Sequence, residues 1–274
     1  MNQDTREIHQ ANRAAWNQAA QSYEKLIAGD IAFLRAGGKN LMKPELEFMA
    51  DLGSWCQRAI HLQCAGGLDT LSLWNQGAHE VIGVDISERM IACARAKSEA
   101  LGAPATWYCC DVLDTPAELD GTADLVYTGR GALNWIMDLE AWAQVAARLL
   151  RPHTGRLYVF EGHPLNWVWD VEASDLRIDP QPPFGDYFAQ TVSIHQGWPP
   201  HYIPEADVPA MEQQAHKHER HWTLGQVINA FIKAGLRVEH FEEYPDHYWD
   251  EFRNLPADIH RRFPHTFSLL LRRD

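Results

Sequence analysis

The 274-residue sequence predicts an α/β fold, a mostly parallel sheet covered by helices on both faces. Two observations predict it. From about residue 60 onward, strand-like runs alternate with helical patterns, and the loops between them are short. A length of 274 residues suits one large domain, or one domain plus a lid.

The elements follow in order. Residues 11–28, ANRAAWNQAAQSYEKLIA, form an alanine-rich helical pattern with Trp16 and Tyr23 set along it. AIHLQC (59–64) is strand-like and Leu68 to Gln76 helical; HEVIGVDI (79–86) is a second strand, followed by a helix from Glu88 to about Leu101. ATWYCCDV (105–112) and ADLVYT (123–128) are strands, and a helix from Leu139 to Leu150 leads to GRLYVFEG (155–162). The pattern then stops. Residues His163 to Trp222 hold eight of the fifteen prolines, four of the eleven tryptophans and six of the fourteen histidines, too many aromatics for a disordered tail. Thr223 to Ala234 resumes a helix, with Thr223 as N-cap and Gly235 as stop. LRVEHFEEY (236–244) and HTFSLLLRR (265–273) close the chain as strands.

Composition bounds the function. With 46% apolar and 22% charged residues the chain reads as an ordinary soluble globule. No apolar run approaches a membrane span, and the polar start MNQDTREIHQ lacks a secretory pattern, so a cytoplasmic location is expected, without a membrane partner. A net charge of -13 argues against nucleic acid as a partner. The five cysteines form no CxxC pair and read as reduced, mostly buried thiols.

The stretch HLQCAGGLDT (61–70) is the informative turn. In a dinucleotide frame Gln63, Ala65 and Leu68 fall where G-x-G-x-x-G needs glycine, and no Gly-Lys-Ser/Thr ending is nearby. Neither phosphate motif fits. A cofactor without phosphates needs only close backbone approach, which Gly66 and Gly67 supply ahead of a helix N-terminus. Asp85 closes the second strand, where a carboxylate accepts both hydroxyls of a ribose. Asp111 closes the third, suited to a purine amine, with Ile86 and Val112 beside the two acids to sandwich the ring.

On these residues the chain resembles the class I S-adenosylmethionine-dependent methyltransferases. The resemblance runs through HLQCAGG (61–67), GVDIS (83–87), CCDVLD (109–114), DLVYTGRGALNWI (124–136) and LLRPHTGRLYVFEGH (149–163), over roughly residues 45–162. His61 replaces the family's carboxylate, Gln63 its first glycine and Ala65 its second. The resemblance implies a Rossmann-like sheet of seven strands, six parallel and the last antiparallel, with S-adenosylmethionine as cofactor and S-adenosylhomocysteine as product. It also implies that Gln63, Cys64, Ala65, Gly66, Gly67, Thr128 and Gly129 flank the methionine half, with Tyr23 covering its end. The expected organisation is a helical cover (1–44), a cofactor-binding core (45–162), an aromatic insertion acting as lid (163–222) and a closing helix and strands (223–274).

The acceptor side is read from single residues. His163, after the fifth strand, is the first choice for a general base, with Glu161 or Tyr202 in reserve. Arg130 suits a substrate carboxylate, and Trp167, Trp198 and Trp222 suit a flat apolar acceptor or, alternatively, a mini-core that stabilises a homodimer. His218 and His221, at i,i+3 in HKHERH (216–221), could share a helical face with a metal, against a solvated polar stretch; no metal is expected. The expected reaction is in-line methyl transfer to an O or N, or a C, nucleophile of a small molecule. The alternatives are a cofactor-binding module without transfer, a protein methyltransferase, and an NAD-dependent oxidoreductase, which the glycine pattern disfavours.

Overall fold

The computed structural model describes residues 3–199, 202–249 and 251–274. The chain opens with the long helix α1 (Gln3–Arg35) and two short helices, α2 (Lys43–Phe48) and α3 (Leu52–Trp55). Alternation follows: β1 (Arg58–Leu62), α4 (Leu68–Gln76), β2 (Glu80–Asp85), α5 (Glu88–Leu101), β3 (Ala105–Cys109), β4 (Leu125–Gly129), α6 (Leu139–Leu149) and β5 (Arg156–Gly162). The irregular stretch contains β6 (Val192–His195) and β7 (Lys217–Arg220). The chain then closes with α7 (Leu224–Lys233), β8 (Leu236–Tyr244), the short α8 (Ala257–His260) and β9 (Thr266–Arg273).

Local chemistry sets the boundaries. Ser87 caps α5 by accepting the Met90 N–H, and Gly102, at φ 64°, ends it. Thr223 and Gln226 form a reciprocal capping box on α7, and Gly235 takes a φ of 80° just past its end. The predicted third strand stops at Cys109, because the Asp111 side chain accepts the Leu113 N–H and turns the backbone into a 3-10 turn at Val112–Asp114. The predicted 11–28 helix is longer, Gln3–Arg35, since packing against α5 extends it in both directions.

The main sheet has the order β3-β2-β1-β4-β5-β9-β8. β9 is antiparallel to both β5 and β8, so the other six strands run one way. β6 and β7 pair as a separate antiparallel ribbon. One face of the sheet packs against α1, α4 and α5, with Leu34, Leu71 and Ile91 in its core; the other packs against α6 and α7 through Trp142 and Phe231. Strand order reverses between β1 and β4, and the loops leaving their carboxyl ends diverge there. Such a divergence opens a crevice in doubly wound sheets. Among the described residues no helix is long and apolar enough to cross a membrane.

Candidate active site

A cavity of about 1050 Å³ occupies this crevice and continues beneath α1 and the irregular stretch. Its floor is the Gln63–Gly67 bend. Gln63 and Ala65 take φ values of 59° and 44°, left-handed conformations that a side chain adopts at a cost of about 1–2 kcal/mol. The bend therefore keeps the backbone path of a glycine-rich turn without glycine at positions 63 and 65. At Gly67 (φ 76°) a Cβ would sit 2.6 Å from Ala94 Cβ and 2.7 Å from Trp107, so glycine is sterically required. Gln63 does not block the cavity. Its side-chain N–H donates to the Ala132 carbonyl at 2.7 Å and its oxygen accepts the Trp142 indole N–H at 3.0 Å, tying the bend to the loop after β4 and to α6.

Two carboxylates stand at neighbouring strand ends. Asp85 accepts the N–H groups of Ala65 at 2.8 Å and Ser87 at 2.9 Å, one on each oxygen. Each oxygen keeps a second lone pair for a ligand hydroxyl. Burial pushes its carboxyl up to about 6 despite those bonds. Asp111 binds the Leu113 N–H and, at 2.7 Å, Nδ1 of His9 from α1. Ile86 and Val112 line the cavity beside them.

His9 is a residue that single-motif reasoning misses. With Asn12, Trp16 and Tyr23 it lines the cavity from one face of α1, at helical spacings of three, four and seven. The fourteen residue steps from His9 to Tyr23 span about 21 Å of helix. This stripe runs from Asp111 at one end to Gly66 at the other, where an added Cβ would meet Tyr23 at 3.1 Å. Heptad-like periodicity was present in the sequence, but only its aromatic members stood out.

The opposite end is charged. Arg130, at φ 60°, ion-pairs with Asp69 from the first turn of α4 and donates to the Asn40 carbonyl at 2.6 Å. Its Nε is buried and has no partner among the described residues. The arginine expected to meet an acceptor thus stands next to the glycine bend, held by a carboxylate. His61, at the position of the family's acid, shares a hydrogen with Thr70 Oγ1 at 2.8 Å, and burial pulls its imidazole down to about 4, so it carries no charge near neutrality. Cys64, Ala65, Gly66 and Gly129 line the cavity, but Thr128 does not. It is fully buried, its hydroxyl 3.4 Å from the Leu62 carbonyl.

The three expected proton acceptors all border the cavity and are all engaged. His163 Nδ1 accepts the Leu165 N–H at 3.1 Å, which leaves Nε2 to donate to Glu243 at 2.9 Å, so neither nitrogen is open for a proton. It serves as the cap of the turn after β5. The Glu161 carboxylate accepts N–H groups from Gly131, Ala132 and Leu133 at 2.7, 2.8 and 3.2 Å, and organises the loop after β4; burial pushes it up to about 7. Tyr202 shares a 2.6 Å hydrogen bond with Tyr23, and burial raises both phenols, Tyr23 to about 12, which keeps their protons on near neutrality.

Residues of the irregular stretch line much of the cavity. Trp16 packs edge-on against Trp135 and Trp198, with ring centres 5.2 and 4.9 Å away. Tyr202 abuts Trp249 at 4.3 Å. Trp167 stacks on Phe184, and Trp222 is pinned by its indole N–H to the Ile136 carbonyl at 2.9 Å; both line the cavity. Asn12 grips the backbone of β7 at His218 through both side-chain atoms, at 2.9 and 2.7 Å, so α1 and the ribbon form one cover. Residues 217–220 are strand and not helix, so His218 and His221 share no helical face for a metal.

Residues 59–153 match a family model described as a methyltransferase domain. No curated protein matches the chain. Among solved structures, the chain is similar to an S-adenosylmethionine-dependent methyltransferase from Mesorhizobium loti (TM-score 0.58, 23% identity, 84% of this chain and 96% of that one). One from Clostridium acetobutylicum aligns with a TM-score of 0.58 at 14% identity, over 92% and 98% of the two chains. Geranyl diphosphate C-methyltransferase from Streptomyces coelicolor, solved with Mg2+, geranyl diphosphate and S-adenosyl-L-homocysteine, aligns with a TM-score of 0.55 at 13% identity, over 84% and 78%. Residues 59–153 are thus a methyltransferase domain, and the chain shares the fold of S-adenosylmethionine-dependent methyltransferases, with acids at the ends of β2 and β3.

Proposed function

We propose that this methyltransferase acts on a small, flat, largely apolar acceptor, transferring the methyl group to an O or N nucleophile by in-line displacement. The observation that carries this is the covered cavity of about 1050 Å³, which runs from the glycine bend to a wall of Trp16, Trp135 and Trp198. Ligand pockets of roughly 300–1,000 Å³ enclose whole drug-sized molecules, so this one has room for a cofactor and a small acceptor together. A protein substrate needs an open groove, and α1 with the β6–β7 ribbon narrows this one.

The residues present fit S-adenosylmethionine. Asp85 would take the ribose hydroxyls on its spare lone pairs, and Asp111, held by His9, the adenine amine. Asp69 and Arg130 form an oppositely charged pair beside Gly67, complementary to the ammonium and carboxylate of the methionine part. Asp69 would thus replace the charge that His61 does not carry, and the unpartnered Arg130 Nε is an open donor for the carboxylate. The bound cofactor supplies an already activated methyl group. The chain's own task is to hold the acceptor in line and to exclude water. Glu161 contributes by fixing the Gly131–Leu133 loop, and His163 by fixing the turn after β5. The free cysteines, three of them buried, suit a cytoplasmic setting.

Calorimetry with S-adenosylhomocysteine and with NAD, followed by methyl-labelled turnover against a metabolite pool, tests the proposal. Binding of the first ligand alone, and label in small molecules, is the expected result. Label found only in protein, or in nothing, overturns it.

A further inference from the structure

Three side chains of the β6–β7 ribbon share one face. His195 stands opposite Lys217 and Ser193 opposite Glu219 in the antiparallel register, and alternation puts His195, Lys217 and Glu219 on one side. All three line the cavity. Glu219 is held at both oxygens. One accepts the Asn134 amide at 2.5 Å from the turn after β4, and the other meets His195 Nε2 at 2.6 Å. A carboxylate can only accept, so Nε2 carries the hydrogen and Nδ1 presents a lone pair. Among the described residues that lone pair has no protein partner. His9, His163 and His247, which also border the cavity, each use both ring nitrogens, whereas the buried Nε2 of His221 has no partner among the described residues and no carboxylate or lysine beside it on the ribbon face.

Lys217 lies directly across the ribbon. It is 3% exposed, and its ammonium sits 4.1 Å over the Trp198 ring. Among the described residues it has no carboxylate or carbonyl partner, and burial lowers it from the ordinary lysine value. A buried cation whose neighbouring carboxylate, Glu219, is already bonded to Asn134 and His195, beside a proton acceptor and at the end of a tryptophan wall, is matched by a flat molecule that becomes an anion there.

We propose that His195 is the general base of the acceptor site and that the acceptor is an aryl compound with a weakly acidic hydroxyl, its oxyanion held by Lys217. This rests on the function proposed above. The acceptor's O–H bond breaks, its electron pair stays on oxygen, and the proton forms the new N–H bond at Nδ1. Glu219 balances the imidazolium and Lys217 the oxyanion, leaving an oxygen lone pair ready for the methyl group. A phenol-like hydroxyl, near 10 in water, is otherwise almost wholly protonated at neutral pH, and a positioned base adds about 10²–10⁴-fold to such a step.

The probe is 4-nitrophenol, whose phenolate absorbs visibly, added to protein saturated with S-adenosylhomocysteine at a pH below the probe's own pKa. Wild type is expected to bind it saturably as the phenolate. In His195→Gln the bound phenolate fraction falls about tenfold, one pKa unit of proton affinity. In Lys217→Met it falls likewise, while S-adenosylhomocysteine affinity in both variants stays within about twofold of wild type, which certifies the fold. Absent binding, binding as the neutral phenol, or a loss seen in His221→Gln and not in His195→Gln overturns the proposal. Failure of S-adenosylhomocysteine to bind wild type would instead strike at the cofactor reading.

Discussion

The cofactor crevice and the cover above it are built by opposite means. The crevice takes its shape from strand ends. Asp85 and Asp111 stand where β2 and β3 finish, and backbone N–H groups of the adjoining loops already hold them. The cover is assembled from the helix Gln3–Arg35 and a ribbon some 200 residues later, joined by side chains such as Asn12 and Gln18 that bond backbone across the gap. Parallel strands and their loops can position a ligand with few specialised residues. A cover joined from distant segments depends on particular pairs.

The largest effect is expected in the crevice. Asp85→Ala removes two charge-assisted acceptors, at about 1.5–3 kcal/mol each, and should weaken S-adenosylhomocysteine by about a hundredfold in calorimetry. A change under threefold would move the ribose elsewhere. The same residue sets a pH window. Its folded value of about 6 lies above the ordinary 3.8, so its contribution to stability is present below 3.8 and lost as pH rises through 6. Ligand hydroxyls need the ionised form, so cofactor affinity should rise over that interval while the unliganded chain loses stability. Parallel titrations of Kd and Tm distinguish these trends.

At the other end of the crevice, Asp69→Asn should weaken S-adenosylhomocysteine about tenfold, the scale of one charge-assisted hydrogen bond, and leave adenosine binding unaltered because adenosine lacks the amino-acid part. Equal losses for both ligands would assign Asp69 a purely structural role. In the cover, Asn12→Ala deletes two hydrogen bonds to β7, each worth about 1 kcal/mol. Amide exchange in β6 and β7 should quicken by about tenfold or more, with the main-sheet strands unchanged. The smallest effect is a gain. Ala65→Gly relieves a left-handed alanine and should stabilise the chain by about 0.5 kcal/mol after the entropy of glycine is counted, read as a small rise in Tm.

Much of the crevice was legible because its signals are local. The capped α5 and α7 follow from Ser87, Thr223 and their terminal glycines, and Asp85 and Asp111 lie beside apolar runs that could only be strands. The proton acceptors were less legible. His163, Glu161 and Tyr202 stand at the expected strand end or in the lid, yet their free lone pairs are taken by Leu165, by the Gly131–Leu133 loop and by Tyr23, none of which a motif announces. His9 and His195 were overlooked for the converse reason. Their partners, Asp111 and Glu219, are far off or across a ribbon of four-residue strands in a stretch without periodicity.

By itself the sequence determined the alternating sheet, the absence of a phosphate-binding turn, and two acids at adjacent strand ends, because apolar periodicity and capping act over a few residues. Only the tertiary structure decided how Gln63 and Ala65 trace a glycine's path, that Arg130 belongs to Asp69, and that His195, Lys217 and Glu219 face one chamber. Those outcomes rest on contacts between segments tens to hundreds of residues apart, where partner choice follows from packing in three dimensions and leaves no spacing in the chain to read.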